Sequence, residues 1–182
     1  MEENTITIEQ FINENGITAE FKNLGPQTEM VKNDKGKKEP HTMDAWQVTL
    51  TRAGQTMNTS FKTGLGLRAV NRQKLGRALG SYPNKQEMEQ AKYKHIGSTK
   101  WLLDYCDPVT PKAQDILDSL ASDASAYDNA RNFEDFCSDF GYDEDSRTAE
   151  GIYKACGELA KELKYFLGAD LYETLLYKAE RL

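Results

Sequence analysis

The chain has 182 residues, of which 38% are hydrophobic and 29% charged, and its formal net charge is −6. This length suits one sizeable domain, and this mixture is too apolar for a wholly disordered chain. No apolar run approaches the ~20 residues that cross a bilayer and the N-terminus lacks a secretion signal, so we expect a cytoplasmic protein that contacts no membrane. Three widely spaced cysteines predict reduced thiols rather than a disulfide framework or a zinc site. They are Cys106, Cys137 and Cys156.

The first predicted elements are a short helix and a small antiparallel sheet. Thr7 is the predicted N-cap of the helix, which ends near Gly16. Apolar and polar residues alternate over residues 17–21 and again over residues 46–61, where Ala53-Gly54 interrupts the alternation, so we predict a strand followed by a β-hairpin. Residues 22–44 are polar and predict a mobile loop. The lysines at the centre of this loop are Lys35, Lys37 and Lys38.

Residues 64–100 predict a basic helical insertion between the hairpin and the C-terminal half. Helices are predicted over residues 67–79 and 83–95, the second with Pro83 near its first position. Residues 65–100 contain eight lysines and arginines but only two acidic residues, and Tyr82 and Tyr93 lie among them.

Residues 101–182 carry only helix signals, so the predicted fold is α+β in a single domain spanning residues 1–182. Within it we predict a helix plus small sheet over 1–63, the basic insertion over 64–100 and an acidic helical part over 101–182. The predicted starting residues of the C-terminal helices are Thr110 with Pro111, Asn132, Asp145 or Ser146, and Asp170.

No motif for catalysis or cofactor binding is present in the sequence. The two histidines, His41 and His95, have no motif around them, and Gly64-Leu65-Gly66 lacks the further residues of a dinucleotide or phosphate loop. The acidic run 139–145 lacks the glycine of a calcium loop. We therefore expect a protein that is not an enzyme and uses no metal or cofactor. A pocket with clustered ionisable side chains would favour an unfamiliar enzyme instead.

The two halves of the chain carry opposite charge. Residues 22–100 hold 15 Lys or Arg against 6 Asp or Glu, a net of +9, whereas residues 101–182 hold 8 against 18, a net of −10. Such asymmetry points to a polyanionic or multi-part partner. The predicted nucleic-acid-binding residues are Arg68, Arg72, Lys74, Arg77, Lys85, Lys92 and Lys94.

The basic insertion and the acidic run each have a second possible interpretation. The basic insertion could dock on the acidic half of the same chain instead of on nucleic acid. The acidic run could be an ordinary turn that favours the N-terminus of the next helix, or a surface that faces a partner. The predicted partner-binding residues are Asp139, Asp143, Glu144 and Asp145.

The segment FEDFCSDFGYDEDSR at residues 133–147 resembles a sequence motif found in a family of small phage and prophage proteins. Residues 5–11, the Trp46 strand, residues 152–156 and residues 166–168 fit the same pattern, whereas shorter relatives lack the basic insertion. One branch of this family is similar to the type II-A anti-CRISPR proteins.

That resemblance implies stoichiometric inhibition of a guide-RNA-loaded type II CRISPR effector nuclease in the cytoplasm of a bacterial host cell. Double-stranded DNA is a further expected contact, and the family supplies no catalytic residues to assign. The alternative is a phage accessory protein that binds nucleic acid non-specifically.

Overall fold

A computed structural model describes residues 7–32 and 36–179, and its α+β architecture confirms the predicted fold class. Residues 5 and 6 of the family pattern and Lys35 of the predicted loop lie outside the described residues. The elements are α1 (Ile8–Glu14), β1 (Thr18–Lys32), β2 (Lys38–Arg52), β3 (Gln55–Gly64), β4 (Arg68–Val70), α2 (Arg72–Leu79), α3 (Lys85–Lys94), α4 (Thr99–Tyr105), β5 (Cys106–Pro108), α5 (Ala113–Asp128), α6 (Phe133–Phe140), α7 (Arg147–Leu167) and α8 (Ala169–Ala179).

A three-stranded antiparallel sheet in the order β1-β2-β3 confirms the predicted hairpin. Its β2–β3 turn has positive φ at both central residues, 48° at Ala53 and 82° at Gly54. Two-residue turns of this kind match the right-handed twist of paired strands. Trp46, Val48 and Leu50 are buried as their alternation predicts.

The segment predicted as a mobile loop is strand over most of its length. β1 continues to Lys32 and β2 already begins at Lys38. The hydroxyl groups of Thr28 and Thr42 lie 2.8 Å apart and join the two strands. The sequence prediction failed because these residues bury neither face, so the strands lack the apolar alternation that marks a half-buried sheet.

The described residues group into two compact units. The first, called here the helical unit, comprises residues 7–20, 49–59 and 112–179; the second, the mixed unit, comprises residues 21–48 and 60–111. Strands β1, β2 and β3 contribute residues to both. The single domain and its three-part division stay a prediction.

The helical unit is built around α5, α7 and α8, with α1 against α5 and α8 and with α6 against α7. In α7 the residues Cys156, Ala160 and Leu163 are buried at helical spacing, which gives the helix one apolar face. The predicted N-caps Asn132 and Ser146 are confirmed, each accepting a backbone N–H.

Gly157 of α7 provides a matched pair of stability variants with Gly151 of the same helix. A Cβ at Gly157 would lie 2.6 Å from the ring of Tyr127, whereas one at Gly151 would meet nothing within 4 Å. We expect Gly157→Ala to lower the free energy of unfolding by about 1–3 kcal/mol through overpacking. Gly151→Ala should raise it by about 0.5–1 kcal/mol because alanine favours the helix. Urea denaturation measures both, and equal stability of the two variants would contradict this packing.

The hydroxyl of Tyr172 in α8 donates a 2.7 Å hydrogen bond to Asp128, and the Tyr172 side chain is buried. Burial, followed by the Asp128 hydrogen bond and charge, raises the pKa of Tyr172 above its ordinary value of about 10. Above that ordinary value the unfolded chain loses this proton before the folded one does. The stability contributed by Tyr172 is therefore present below pH ~10 and is lost as the pH rises further.

We expect Tyr172→Phe to lower the free energy of unfolding by about 1 kcal/mol at pH 7. The wild-type protein should lose this advantage between pH 10 and 11, the region of the ordinary tyrosine pKa. Denaturation of both proteins at several pH values tests this, with Tyr165→Phe, at an exposed residue, as the control. An advantage that stays constant to pH 11 would contradict the account.

The mixed unit contains a two-stranded antiparallel sheet, in which Arg68 pairs with Pro108 and Val70 with Cys106. The helix predicted over residues 67–79 therefore begins only at Arg72, after Asn71, whose side chain accepts from the Lys74 N–H. The strand signal in three residues is too short to recognise before their partner is known. Around this sheet lies a core of Leu65, Trp101, Leu102 and Cys106.

Two other predicted helix starts shift by two residues. α3 begins at Lys85 rather than at Pro83, because Asn84 accepts from the Glu87 N–H as the N-cap. α5 begins at Ala113 rather than at the 110–111 pair, with Lys112 as its N-cap.

Candidate nucleic-acid interface

Four exposed cations on α2 and α3 make no ion pair with any residue that the structure describes. α2 buries Leu75 and Gly76, which leaves its other residues in solvent. We call these four cations the basic surface. They are Arg72, Arg77, Lys85 and Lys94.

The connection between α2 and α3 folds back onto α2 at Gly76. A Cβ there would lie 3.0 Å from the Ser81 carbonyl oxygen and 3.5 Å from Pro83. Gly80 ends α2 in the left-handed conformation, with φ of 67°. The close approach favours a glycine at Gly76, because a larger residue would push the connection away from α2.

α3 has no fully buried residue and rests on the mixed unit by one narrow face. Met88, Ala91 and Lys92 are partly buried at helical spacing, and Ala91 contacts the Leu65–Trp101 core. Tyr93 and Lys94 are exposed on the opposite side of the helix, where a ligand can reach them.

Arg68 does not belong to the basic surface, which corrects the nucleic-acid role predicted for it. Its side chain is only 5% exposed, and its Nε donates to Asp44 Oδ2 at 2.8 Å while Nη2 contacts Oδ1. Nη1 donates to the carbonyl oxygens of Leu102 and Cys106 at 3.3 and 2.9 Å. With its donors used internally, Arg68 stabilises the mixed unit and cannot reach a phosphate.

Lys74 and Lys92 are partly engaged inside the protein. Lys74 Nζ lies 2.7 Å from Asp107, and this hydrogen bond, followed by that of Asn71, lowers the pKa of Asp107. Lys92 Nζ donates to the Arg68 carbonyl oxygen at 2.7 Å. Lys74 thus has an acidic partner, whereas the hydrogen-bond partner of Lys92 is an uncharged carbonyl group.

Exposed aromatic rings accompany the basic surface. Tyr82 is 71% and Tyr93 79% exposed, far more than tyrosine rings that serve a core. His95 differs, because its ring stacks on Trp101 with centroids 5.3 Å apart. The two tyrosines can therefore stack on bases or donate hydrogen bonds to phosphates.

The last turn of α6 and the acidic turn between α6 and α7 expose the four predicted partner-binding carboxylates on the helical unit. Burial raises the pKa of the Cys137 thiol beneath this turn, and the charges of Glu144 and Asp143 add to that rise. Ser146 N donates to the Asp143 carbonyl oxygen at 3.0 Å, which holds the turn before α7. The four carboxylates are Asp139, Asp143, Glu144 and Asp145.

Within residues 7–32 and 36–179, no cluster of three or more His, Cys, Asp or Glu side chains could hold a metal ion. The three cysteines are buried and unpaired. No helix of the described residues is long and apolar enough to cross a membrane. The absence of an enzymatic activity stays a prediction.

The sequence did not indicate two features of the mixed unit. Asp44 looked like a polar loop residue, yet it is fully buried as the partner of Arg68. Lys22, Lys32 and Lys38 lie on strands rather than on a loop. In both cases the determining contact is long-range and has no local pattern.

Comparisons of this chain with protein-family models, with curated proteins and with solved structures yield no significant match.

Proposed function

We propose that this protein inhibits a type II CRISPR effector nuclease by stoichiometric binding to the guide-RNA-loaded enzyme. Two observations carry the proposal: the basic surface on α2 and α3 is exposed in the mixed unit, and the carboxylates of the acidic turn are exposed in the helical unit. A partner that combines protein and nucleic acid offers complementary charge to both. The resemblance of residues 133–147 to the family of small phage and prophage proteins supports this choice of partner.

The physical logic follows from how such nucleases work. They hold the guide–target heteroduplex in strongly positive channels and read a short duplex motif. The carboxylates of the acidic turn are complementary to such a channel, while the basic surface is complementary to guide RNA or target DNA. Both contacts are steered over long range and weaken as salt rises.

Size-exclusion chromatography with the apo and the guide-loaded nuclease tests the binding step. We expect co-elution at a fixed molar ratio with the guide-loaded enzyme. Neutralising the acidic turn with Asp143→Asn, Glu144→Gln and Asp145→Asn should weaken the complex, whereas Glu158→Gln with Glu162→Gln on α7 is the control. Failure to co-elute with any of several type II nucleases would contradict the proposal.

The exposed basic surface also favours a second function, that of a phage accessory protein which binds nucleic acid non-specifically. This alternative predicts duplex binding in a gel shift without any nuclease, with affinity that falls steeply as salt rises. It further predicts that nuclease activity is blocked only when the protein coats the DNA in large excess.

A further inference from the structure

The distal part of the β1–β2 hairpin has no buried face. We call residues 21–32 and 36–43 the ribbon. All its residues are exposed except Phe21, Gly25, Thr42 and Met43, which are partly buried. Sheets ordinarily cover at least one face with a core, whereas this part of the sheet covers neither. A ribbon with two exposed faces is therefore suited to a partner that contacts both faces.

The charge of the ribbon suits a polyanion. Residues 21–32 and 36–43 contain four lysines and two glutamates. Glu29 forms an ion pair with Lys62 of β3. The exposed imidazole of His41 adds a further hydrogen-bonding group. The four lysines are Lys22, Lys32, Lys37 and Lys38.

The shape of the ribbon suits a DNA groove. Two strands lie about 4.8 Å apart, and such a ribbon fits the major groove of B-DNA, which is about 12 Å wide. The major groove of A-form RNA is too narrow for it. Met30 and Val31 are 59% and 46% exposed, so the ribbon also offers apolar side chains to the walls of the groove.

The outer edge of the ribbon is unsuited to receiving another strand. Gly25 has φ of 87°, and the following Pro26 has no N–H to donate. Irregular backbone and proline are the devices by which edge strands avoid pairing with other chains. The faces of the ribbon, rather than its edge, are therefore the contact surface.

We propose that the ribbon is a second nucleic-acid contact, which enters a groove of a B-form DNA duplex without reading its sequence. The inference rests on the proposed function, because it assumes that the partner of the protein includes nucleic acid. It goes beyond that function in assigning the duplex to a surface separate from α2 and α3.

Fluorescence anisotropy with a labelled 20-base-pair DNA duplex, at low salt and without nuclease, is the first test. Replacing the four ribbon lysines by Gln should weaken binding roughly tenfold or more, and should lower the salt slope by up to about 3–4 units. A control with four cations of the helical unit replaced by Gln should bind within about twofold of wild type. The control positions are Lys112, Arg147, Lys154 and Lys161.

Photo-crosslinking from the ribbon is the second test. The native cysteines are all buried, so a thiol introduced by Met30→Cys can be labelled selectively with a benzophenone. We expect crosslinks to duplex DNA, and none from the same label in the Tyr165→Cys control on α7. Crosslinks to the nuclease protein alone, to duplex RNA in preference to DNA, or unchanged DNA binding by the lysine variant would overturn the inference.

These outcomes separate the ribbon from the proposed function. If the ribbon variant binds DNA like wild type while inhibition of the nuclease persists, only the ribbon inference fails. If ribbon-dependent DNA binding is found but no nuclease is inhibited, the proposed function fails and the ribbon contact stands.

Discussion

Replacing Asp44 by alanine is expected to lower the free energy of unfolding of the mixed unit by about 3–5 kcal/mol. Asp44 is fully buried, and its carboxylate is the only acidic partner of the Arg68 guanidinium among the described residues. Removing it leaves a buried charge without compensation, which costs far more than an exposed ion pair contributes. The loss should destabilise β4, to which Arg68 belongs, and also α4 and β5, whose carbonyl groups Arg68 binds.

The two tryptophans, Trp46 and Trp101, both lie in the mixed unit, so their fluorescence reports its unfolding. Urea denaturation followed by this signal measures the loss directly. The double variant Asp44→Leu with Arg68→Met should recover most of the stability, because an apolar pair leaves no buried charge. A loss below about 1 kcal/mol in Asp44→Ala would show that the pair is solvated, contrary to this account.

Reversing the charges of the basic surface is expected to weaken nucleic-acid binding roughly 100-fold or more at low salt. The salt slope should fall by up to about 4 units, since each phosphate contact contributes about 0.9. Anisotropy with labelled duplex and single-stranded oligonucleotides measures both quantities. The variant combines Arg72→Glu, Arg77→Glu, Lys85→Glu and Lys94→Glu.

A matched control reverses four cations of the helical unit and has the same net charge. It should retain most of the affinity if binding is local to α2 and α3. Equal losses in the two variants would show that net charge alone governs binding, which would remove the basic surface from the account. The control positions are Lys112, Arg147, Lys154 and Lys161.

Local sequence signals predicted the elements that local interactions determine. The turn at Ala53-Gly54, the N-caps Thr7 and Asn132 and the apolar face of α7 all follow from spacing and capping chemistry within a few residues. Elements that depend on distant partners were not predictable. The three residues of β4 became a strand only because they pair with Cys106–Pro108.

The candidate site was predictable in composition but not in detail. The excess of cations over residues 65–100 is visible in the sequence, and four of the seven predicted nucleic-acid-binding residues are exposed without an acidic partner among the described residues. Arg68 carries the same charge as its neighbours, yet its role is decided by Asp44, 24 residues away. No single-residue signal distinguishes a buried arginine from a surface one before that partner is known.

A cleavage assay with a guide-loaded type II nuclease tests the central claim most directly. Titrating the protein against a fixed amount of nuclease should abolish cleavage near a fixed, roughly equimolar ratio, independent of how much DNA is present. Full inhibition at that ratio is the predicted result. Undiminished cleavage by several type II nucleases at a large molar excess of the protein, or inhibition that scales with the DNA concentration instead, would contradict it.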